Sequence, residues 1–219
     1  MAVATSSLAL DPLRLASYGP VIPVIVIERA EHAVAMAEAL VAGGVRVLEI
    51  TLRTPAALAA IEAIARAVPD AVVGAGTVRS AADARAAQTA GATFAVSPGC
   101  TASVAEACRE LGLAFLPGVA TASEVMRAAE LGFTFLKFFP AAAAGGTALL
   151  KAWASPFADV VFCPTGGIGM ANAGEYLSLA NVGVVGGSWL TPPDALAGND
   201  WPRITRLARE AAALRPAAP

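Results

Sequence analysis

Lysine, histidine, cysteine and charge are all scarce in this chain. Only two of the 219 residues are lysine, Lys137 and Lys151, and arginine supplies every other basic side chain. A formal net charge of -2 leaves no basic footprint for nucleic acid, and no basic amphipathic stretch suggests a membrane surface. The single histidine, His32, lies in a helical run, which excludes a Ser-His-Asp triad and leaves it a structural or surface role. Three cysteines, Cys100, Cys108 and Cys163, cannot all pair within one chain and show no CxxC spacing. They read as small buried apolar residues. No His, Cys and carboxylate cluster has metal-ligand spacing, so no metal is expected. The GAG of Gly74–Gly76 is too short for a dinucleotide fingerprint, and no cofactor is expected. The long uncharged stretches, 86–105 and 176–193, are interrupted by Gly, Pro, Ser, Thr or Asn, unlike a lipid-facing helix. These features predict a soluble, cytoplasmic protein.

What is present is a rhythm. Short β-rich runs occur at 21–27, 45–52, 71–78, 94–99, 114–120, 135–141, 160–167 and 182–190. Most are apolar on both alternating faces, as strands covered on both sides should be. Alanine-rich helical stretches lie between them at 30–41, 56–67, 81–90, 102–111, 123–131, 147–154 and 171–179, and a last one follows at 201–214. Thr54-Pro55 predicts a helix start, and Thr121 with Glu124 a capping box. Gly43, Gly91, Gly112 and Gly132 fall where left-handed helix ends are wanted. Eight strand–helix units, spaced by roughly 20–26 residues, predict a (β/α)8 TIM barrel. A doubly wound open sheet remains the alternative. A short helix before Tyr18 is expected across the barrel bottom. One domain spans 1–219, with fraying expected at 1–8 and 214–219.

Within that frame, Lys137 stands in FTFLKFFPAA, among four phenylalanines and a leucine. Lysine is seldom buried without reason. Alternation puts Phe135, Lys137 and Phe139 on one face of the sixth strand, near its C-terminal end, where barrels carry their chemistry. Desolvation among aromatic rings favours an uncharged amine, and such an amine can attack a ketone to form a Schiff base. On the second strand, Glu49 and Arg53 share a face near the same mouth. One can move protons, and the other can clamp a carboxylate with two prongs. A mutual Glu–Arg ion pair without chemistry is the plain alternative. Strand ends at Thr77, Ser97–Gly99, Thr165–Gly167 and Gly186–Ser188 are small or hydroxylated. The last two sit where barrels often hold a phosphate, with no lysine or arginine in the loops.

In order along the chain, VIPVIVIERAEHAVAMAEALVAGGVRVLEITLRT, VGAGTV, AVSPG, LPGVAT, FLKFFPA, FCPTGGI and VGGSWL resemble the bacterial 2-keto-3-deoxy-6-phosphogluconate aldolases. The similarity runs from about Gly19 to about Glu210. It implies a class I, metal-free lyase of the Entner–Doudoroff pathway, a homotrimer of barrels that splits a phosphorylated keto acid into pyruvate and glyceraldehyde 3-phosphate. By resemblance Lys137 is the Schiff-base lysine and Glu49 the acid/base. Arg53 and Thr77 hold the pyruvate carboxylate, and Pro98 and Phe139 line the pocket. Thr165 governs stereochemistry at C4, and Gly166, Gly167, Gly186, Gly187 and Ser188 form the phosphate end. The chain departs at Ala142 and Ala144, where relatives often read FFPAEANGG. Sibling aldolases for 2-keto-4-hydroxyglutarate or the galactonate isomer remain open. So do a non-catalytic phosphate-ligand barrel and a pyridoxal-phosphate enzyme.

Overall fold

The computed structural model describes residues 12–214. Nine strands run in chain order: β1 (Val21–Ile25), β2 (Val47–Thr51), β3 (Val72–Gly76), β4 (Phe94–Val96), β5 (Ala114–Leu116), β6 (Gly118–Val119), β7 (Phe135–Phe138), β8 (Val161–Pro164) and β9 (Val185–Gly187). Helices α1 (Ala33–Ala42), α2 (Ala57–Ala67), α3 (Ala81–Thr89), α4 (Ala102–Glu110) and α5 (Ala122–Glu130) follow successive strands. They continue as α6 (Gly146–Trp153), α7 (Ala173–Leu177), α8 (Pro193–Ala197) and α9 (Trp201–Ala212).

All strand pairing is parallel, in the orders β5-β4-β3-β2-β1-β9 and β6-β7-β8. The two arcs join into a closed barrel. Parallel bridges Phe162↔Val182 and Thr165↔Gly186 connect β8 to the β9 segment. At the other seam β5 and β6 are one stave broken at Pro117, which has no N–H to give a ladder. Its carbonyl instead accepts from Lys137 N at 2.8 Å. At Gly118 a Cβ would stand 2.4 Å from the Pro98 backbone, so only glycine admits this close crossing. Eight staves result, and the open-sheet alternative falls away.

Two apolar layers follow from alternation. Leu15, Ile22, Val47, Phe94, Phe135 and Cys163 pack inside the barrel with their neighbours, while Ile25, Leu48, Ile50, Leu136 and Phe138 face the helices. The segment Pro12–Tyr18 is a 3-10 helix, and its Leu15 closes the bottom of the interior. Local signals hold in part. Thr121 and Glu124 form a reciprocal capping box on α5, and Gly91, Gly112 and Gly132 take positive φ. Gly43 does not; the left-handed residue is Gly44, at φ 92°. Gly43 is small for another reason, since a Cβ there would meet Ala208 Cβ of α9 at 2.4 Å. Thr54 does not cap α2, which starts at Ala57 after Ala56; its hydroxyl donates to the Ile27 carbonyl. The helix α8 was not anticipated. Leu214, expected to fray, is half-buried against the outer layer, and its N–H donates to Ala211 O at 3.1 Å. The other expected frayed residues, 1–8 and 215–219, lie outside the described ones.

Candidate active site

Because Phe135 belongs to the inner layer, period-two alternation turns Lys137 inward as well. Its ammonium reaches across the interior to β2, where Nζ lies 3.2 Å from Glu49 Oε1. Both side chains are almost wholly enclosed, at 4% and 3% exposure. Removing either partner would strand a buried charge, so the two hold each other in place. Lys137 Nζ also sits 5.4 Å from the centre of the Phe139 ring, within cation–π range. Glu49 Oε2 has no protein donor among the described residues. Since no fully enclosed side-chain oxygen or nitrogen there lacks a partner, Oε2 keeps some solvent access.

Glycine makes room for this carboxylate. Gly76 of β3 lies beside Glu49, and a Cβ on it would stand 2.2 Å from Oε1. The next residue, Thr77, has φ 60°, a left-handed conformation that strains a β-branched residue by about 1–3 kcal/mol. That conformation puts Thr77 Oγ1 where it accepts from Arg53 Nε at 2.9 Å. The remaining guanidinium nitrogens of Arg53 meet no carboxylate among the described residues. The mutual Glu49–Arg53 pair is thus absent; Glu49 is engaged by Lys137, and Arg53 presents an exposed two-pronged fork at the mouth.

Cys163 is the register neighbour of Lys137 on β8 and points into the same interior. Burial pushes its thiol up to about 12, with the Lys137 charge pulling the other way. It therefore stays a neutral thiol beside the amine. Thr165 is buried on the same stave, and Gly186 of β9 makes room for it, since a Cβ would come within 2.2 Å of Thr165 Oγ1. Beyond Thr165, Gly166 and Gly167 take φ 101° and 75°. The Ala142 N–H donates to Gly166 O at 3.0 Å, so the divergent alanine segment braces this turn through backbone. Gly187 is buried against the Trp189 ring, and Ser188 is exposed. Pro98 is exposed at the mouth and Phe139 half-buried.

The structure thus brings Lys137, Glu49 and Phe139 into contact, joins Arg53 to Thr77, and sets Thr165 against Gly186. Three contributors were missed in sequence: Gly76, Cys163 and Thr51. The Thr51 hydroxyl donates to Ile25 O at 2.8 Å and ties β2 to β1 above Glu49. Gly76 left a signal in its place directly before Thr77, and Thr51 in sharing the alternating face of Glu49. Chemically, a buried amine touching a carboxylate, beside an unengaged guanidinium, can form an imine with a keto acid and shuttle its protons.

The family model described as "Aldolase: KDPG and KHG aldolase" matches residues 14–207. The chain is 54% identical over 197 residues to the 2-dehydro-3-deoxy-phosphogluconate aldolase of Pseudoalteromonas atlantica, covering 90% of this chain and 92% of that one. It is similar to the solved 2-keto-3-deoxy-6-phosphogluconate aldolase of Zymomonas mobilis with 3-phosphoglycerate, at TM-score 0.91 and 48% identity, covering 96% of this chain and 99% of that one. It also resembles the KDPG aldolase of Legionella pneumophila, in which pyruvate is captured as a covalent carbinolamine, at TM-score 0.90 and 46% identity, covering 93% and 98%.

Proposed function

We propose that this chain, which belongs to the KDPG and KHG aldolase family, is a class I aldolase cleaving 2-keto-3-deoxy-6-phosphogluconate to pyruvate and glyceraldehyde 3-phosphate. The observation that carries this reading is the enclosed Lys137 Nζ–Glu49 Oε1 contact at 3.2 Å. Loss of the ammonium proton to Glu49 frees an amine that attacks C2 of the keto acid. Arg53, steadied by Thr77, grips the C1 carboxylate and fixes the attack geometry. Glu49 returns a proton to the carbinolamine oxygen, and water leaves. The protonated imine then draws electrons from the C3–C4 bond while Glu49 takes the C4 hydroxyl proton. Glyceraldehyde 3-phosphate departs, the enamine is protonated at C3, and water releases pyruvate from Lys137. Proton transfers of this kind typically contribute about 10²–10⁴-fold.

Thr165, buried on the stave next to Lys137, would orient the C4 hydroxyl. The backbone N–H groups of the Gly166–Gly167 and Gly186–Ser188 turns would receive the phosphate, with the Ser188 hydroxyl. Pro98 and Phe139 would flank the chain of the substrate. The homotrimer and the cytoplasmic location that the resemblance implies belong to the same proposal, as does a single domain spanning 1–219. A second reading is cleavage of 2-keto-4-hydroxyglutarate, favoured by the family description itself, which names both substrates. It uses the same residues as far as C4, and relative cleavage rates for the two keto acids separate it.

The test is reductive trapping. Pyruvate plus borohydride should add one covalent adduct, located by mass spectrometry on Lys137. Lys137→Ala should abolish both adduct and cleavage. An adduct on Lys151, or full activity in the alanine variant, overturns the assignment.

A further inference from the structure

Off the barrel mouth opens a cavity of about 310 Å³, of whose lining the mechanism above uses only Ser188. Its size is at the lower end of the ~300–1,000 Å³ typical of small-molecule sites. Val24, Val26 and Ile27 supply one wall, and Pro193, Leu196 and Ala197 of α8 the other. Two neighbours tie it to the catalytic centre. Val24 is the register partner of Glu49, and Ser188, from the proposed phosphate end, also lines the cavity. The space therefore adjoins the proposed distal end of the substrate site.

Two polar side chains, His32 and Thr191, line it as well, at 7% and 6% exposure. Neither the imidazole nitrogens nor the Thr191 hydroxyl has a hydrogen-bond partner among the described residues. The imidazole ring only meets the Trp201 ring edge-on, with centroids 5.7 Å apart. Buried polar groups are normally partnered. No fully enclosed side-chain nitrogen or oxygen among the described residues lacks a partner, so these polar atoms keep accessible surface, and both residues line the cavity. His32 is thus neither a surface residue nor a satisfied core one. At the rim Arg29 is paired through Nε with Glu31 at 2.8 Å, and Glu28 adds a further negative charge. Such a lining matches an uncharged apolar body with one hydrogen-bonding tip.

We infer that this cavity is a subsite for the aldehyde-derived end of 4-hydroxy-2-oxo acids that carry, in place of phosphate, an apolar tail ending in a neutral hydrogen-bonding group. The inference rests on the aldolase reading. In the synthetic direction pyruvate loses one C3 proton as its Lys137 imine becomes the enamine. C3 then bonds to the aldehyde carbon, the aldehyde oxygen takes a proton from Glu49, and water hydrolyses the imine. The sum is pyruvate plus aldehyde giving the 4-hydroxy-2-oxo acid, with no oxidation or reduction.

The test compares pyruvate addition to 3-(4-hydroxyphenyl)propanal, 3-phenylpropanal and glyceraldehyde 3-phosphate. The wild type should favour the hydroxyphenyl aldehyde over the phenyl one by about fivefold in kcat/KM, the value of one hydrogen bond. Ala197→Phe, which fills the cavity from an exposed helix position, should lower kcat/KM for both aryl aldehydes by about tenfold. It should leave glyceraldehyde 3-phosphate within about twofold. Thr191→Val should erase the hydroxyl preference and leave 3-phenylpropanal unchanged. Equal losses on all three aldehydes, or an unaltered preference in Thr191→Val, overturn the inference. So does a wild type that traps pyruvate and accepts glyceraldehyde 3-phosphate but not the aryl aldehydes, in which case the aldolase reading stands. Failure to trap pyruvate at all sinks both.

Discussion

Gly76→Ala is the sharpest test of how the proposed acid/base group is positioned. The backbone at Gly76 lies outside the left-handed region, so alanine adds no conformational strain there. Its methyl group would instead lie 2.2, 2.6 and 2.8 Å from Oε1, Cγ and Cδ of Glu49. Carbon contacts settle near ~3.5 Å, so the carboxylate must retreat by about 1 Å. The Lys137–Glu49 contact, already 3.2 Å, cannot survive that retreat in its present geometry. Overpacking of this kind costs roughly 1–3 kcal/mol, and leaving a buried charge poorly paired costs as much as about 3–5 kcal/mol. The opening at Oε2 lets the displaced carboxylate find water, which argues for the lower range. A chain of this size loses about 2–4 °C in Tm per kcal/mol, so the melting point should fall by roughly 2–12 °C. A 1 Å misplacement of a catalytic group is worth about 10²-fold in rate. Pyruvate release coupled to lactate dehydrogenase would read kcat, and thermal unfolding would read Tm. Gly74→Ala serves as the control. Gly74 is the register partner of Glu49 on β3, but its methyl group would strike the Phe94 ring at 2.4 Å rather than the carboxylate, so it should lower Tm with a smaller loss of kcat. A Gly76→Ala enzyme with wild-type kcat and Tm would refute the positioning argument. Equal activity losses in the two variants would reduce it to a general effect of instability.

Arg53→Lys keeps the positive charge but loses the fork and the Nε donor that anchors to Thr77. It should raise KM for the keto acid by about tenfold or more, since hydrogen bonds between charged groups are worth about 1.5–3 kcal/mol. Steady-state kinetics that show an unchanged KM would remove the carboxylate clamp. The cysteines should label in an order set by burial. Cys108 and Cys163 are buried, with thiols pushed up to about 11 and about 12 by desolvation, whereas Cys100 is half-buried. Maleimide at pH 7.5 should modify Cys100 first and leave the other two until the chain is unfolded. Rapid labelling of Cys163 in the native enzyme would mean that the neutral-thiol neighbour assigned to Lys137 is wrong.

The barrel was legible because each stave announces itself twice, by a β-branched or aromatic run and by an alanine-rich helix after it. Period-two alternation then sufficed to turn Lys137 inward, and closeness to the end of β2 sufficed to put Glu49 and Arg53 together at the mouth, although Arg53 lies in the turn after the strand. What stayed hidden depends on distances between segments remote in sequence. LPGVA reads as one strand, and only the crossing of Gly118 over Pro98 reveals the break. Gly43 looks like a helix stop, yet its smallness answers to Ala208 on the far side of the chain. Thr54 resembles a cap, but the Ile27 carbonyl competes for its hydroxyl. Gly76 is a space held for Glu49, and His32 lines a cavity whose opposite wall is α8, a helix of five residues too short to leave a periodic signal. The choice of which carboxylate partner Arg53 or Lys137 would take was equally a matter of cross-barrel reach.

These details divide the mouth into two unlike halves. Over β2, β3 and β7 the side chains are charged and mutually constrained: Glu49 is pinned by Lys137 and fenced by Gly76, and Arg53 is aligned by Thr77. A change at any one of these shifts the others, because each contact is made by a group that has no slack. Over β8, β9 and β1 the lining is mostly backbone N–H, hydroxyl, imidazole and aliphatic carbon; Arg29 at the rim is paired with Glu31, and the Gly166–Gly167 and Gly186–Ser188 turns hold no lysine or arginine. A phosphate held there by N–H groups gains no full counter-charge, so the discrimination between a charged and a neutral tail is smaller than an arginine or lysine would enforce. On the proposed reading, the bond-breaking end of the substrate would be specified by electrostatics that tolerate little change. The distal end would be specified by shape and single hydrogen bonds, each worth about 1 kcal/mol. Substitutions that alter which aldehyde is released should therefore concentrate around Thr165, Ser188, Thr191 and α8. Those around Glu49, Thr77 and Lys137 should alter whether any aldehyde is released at all.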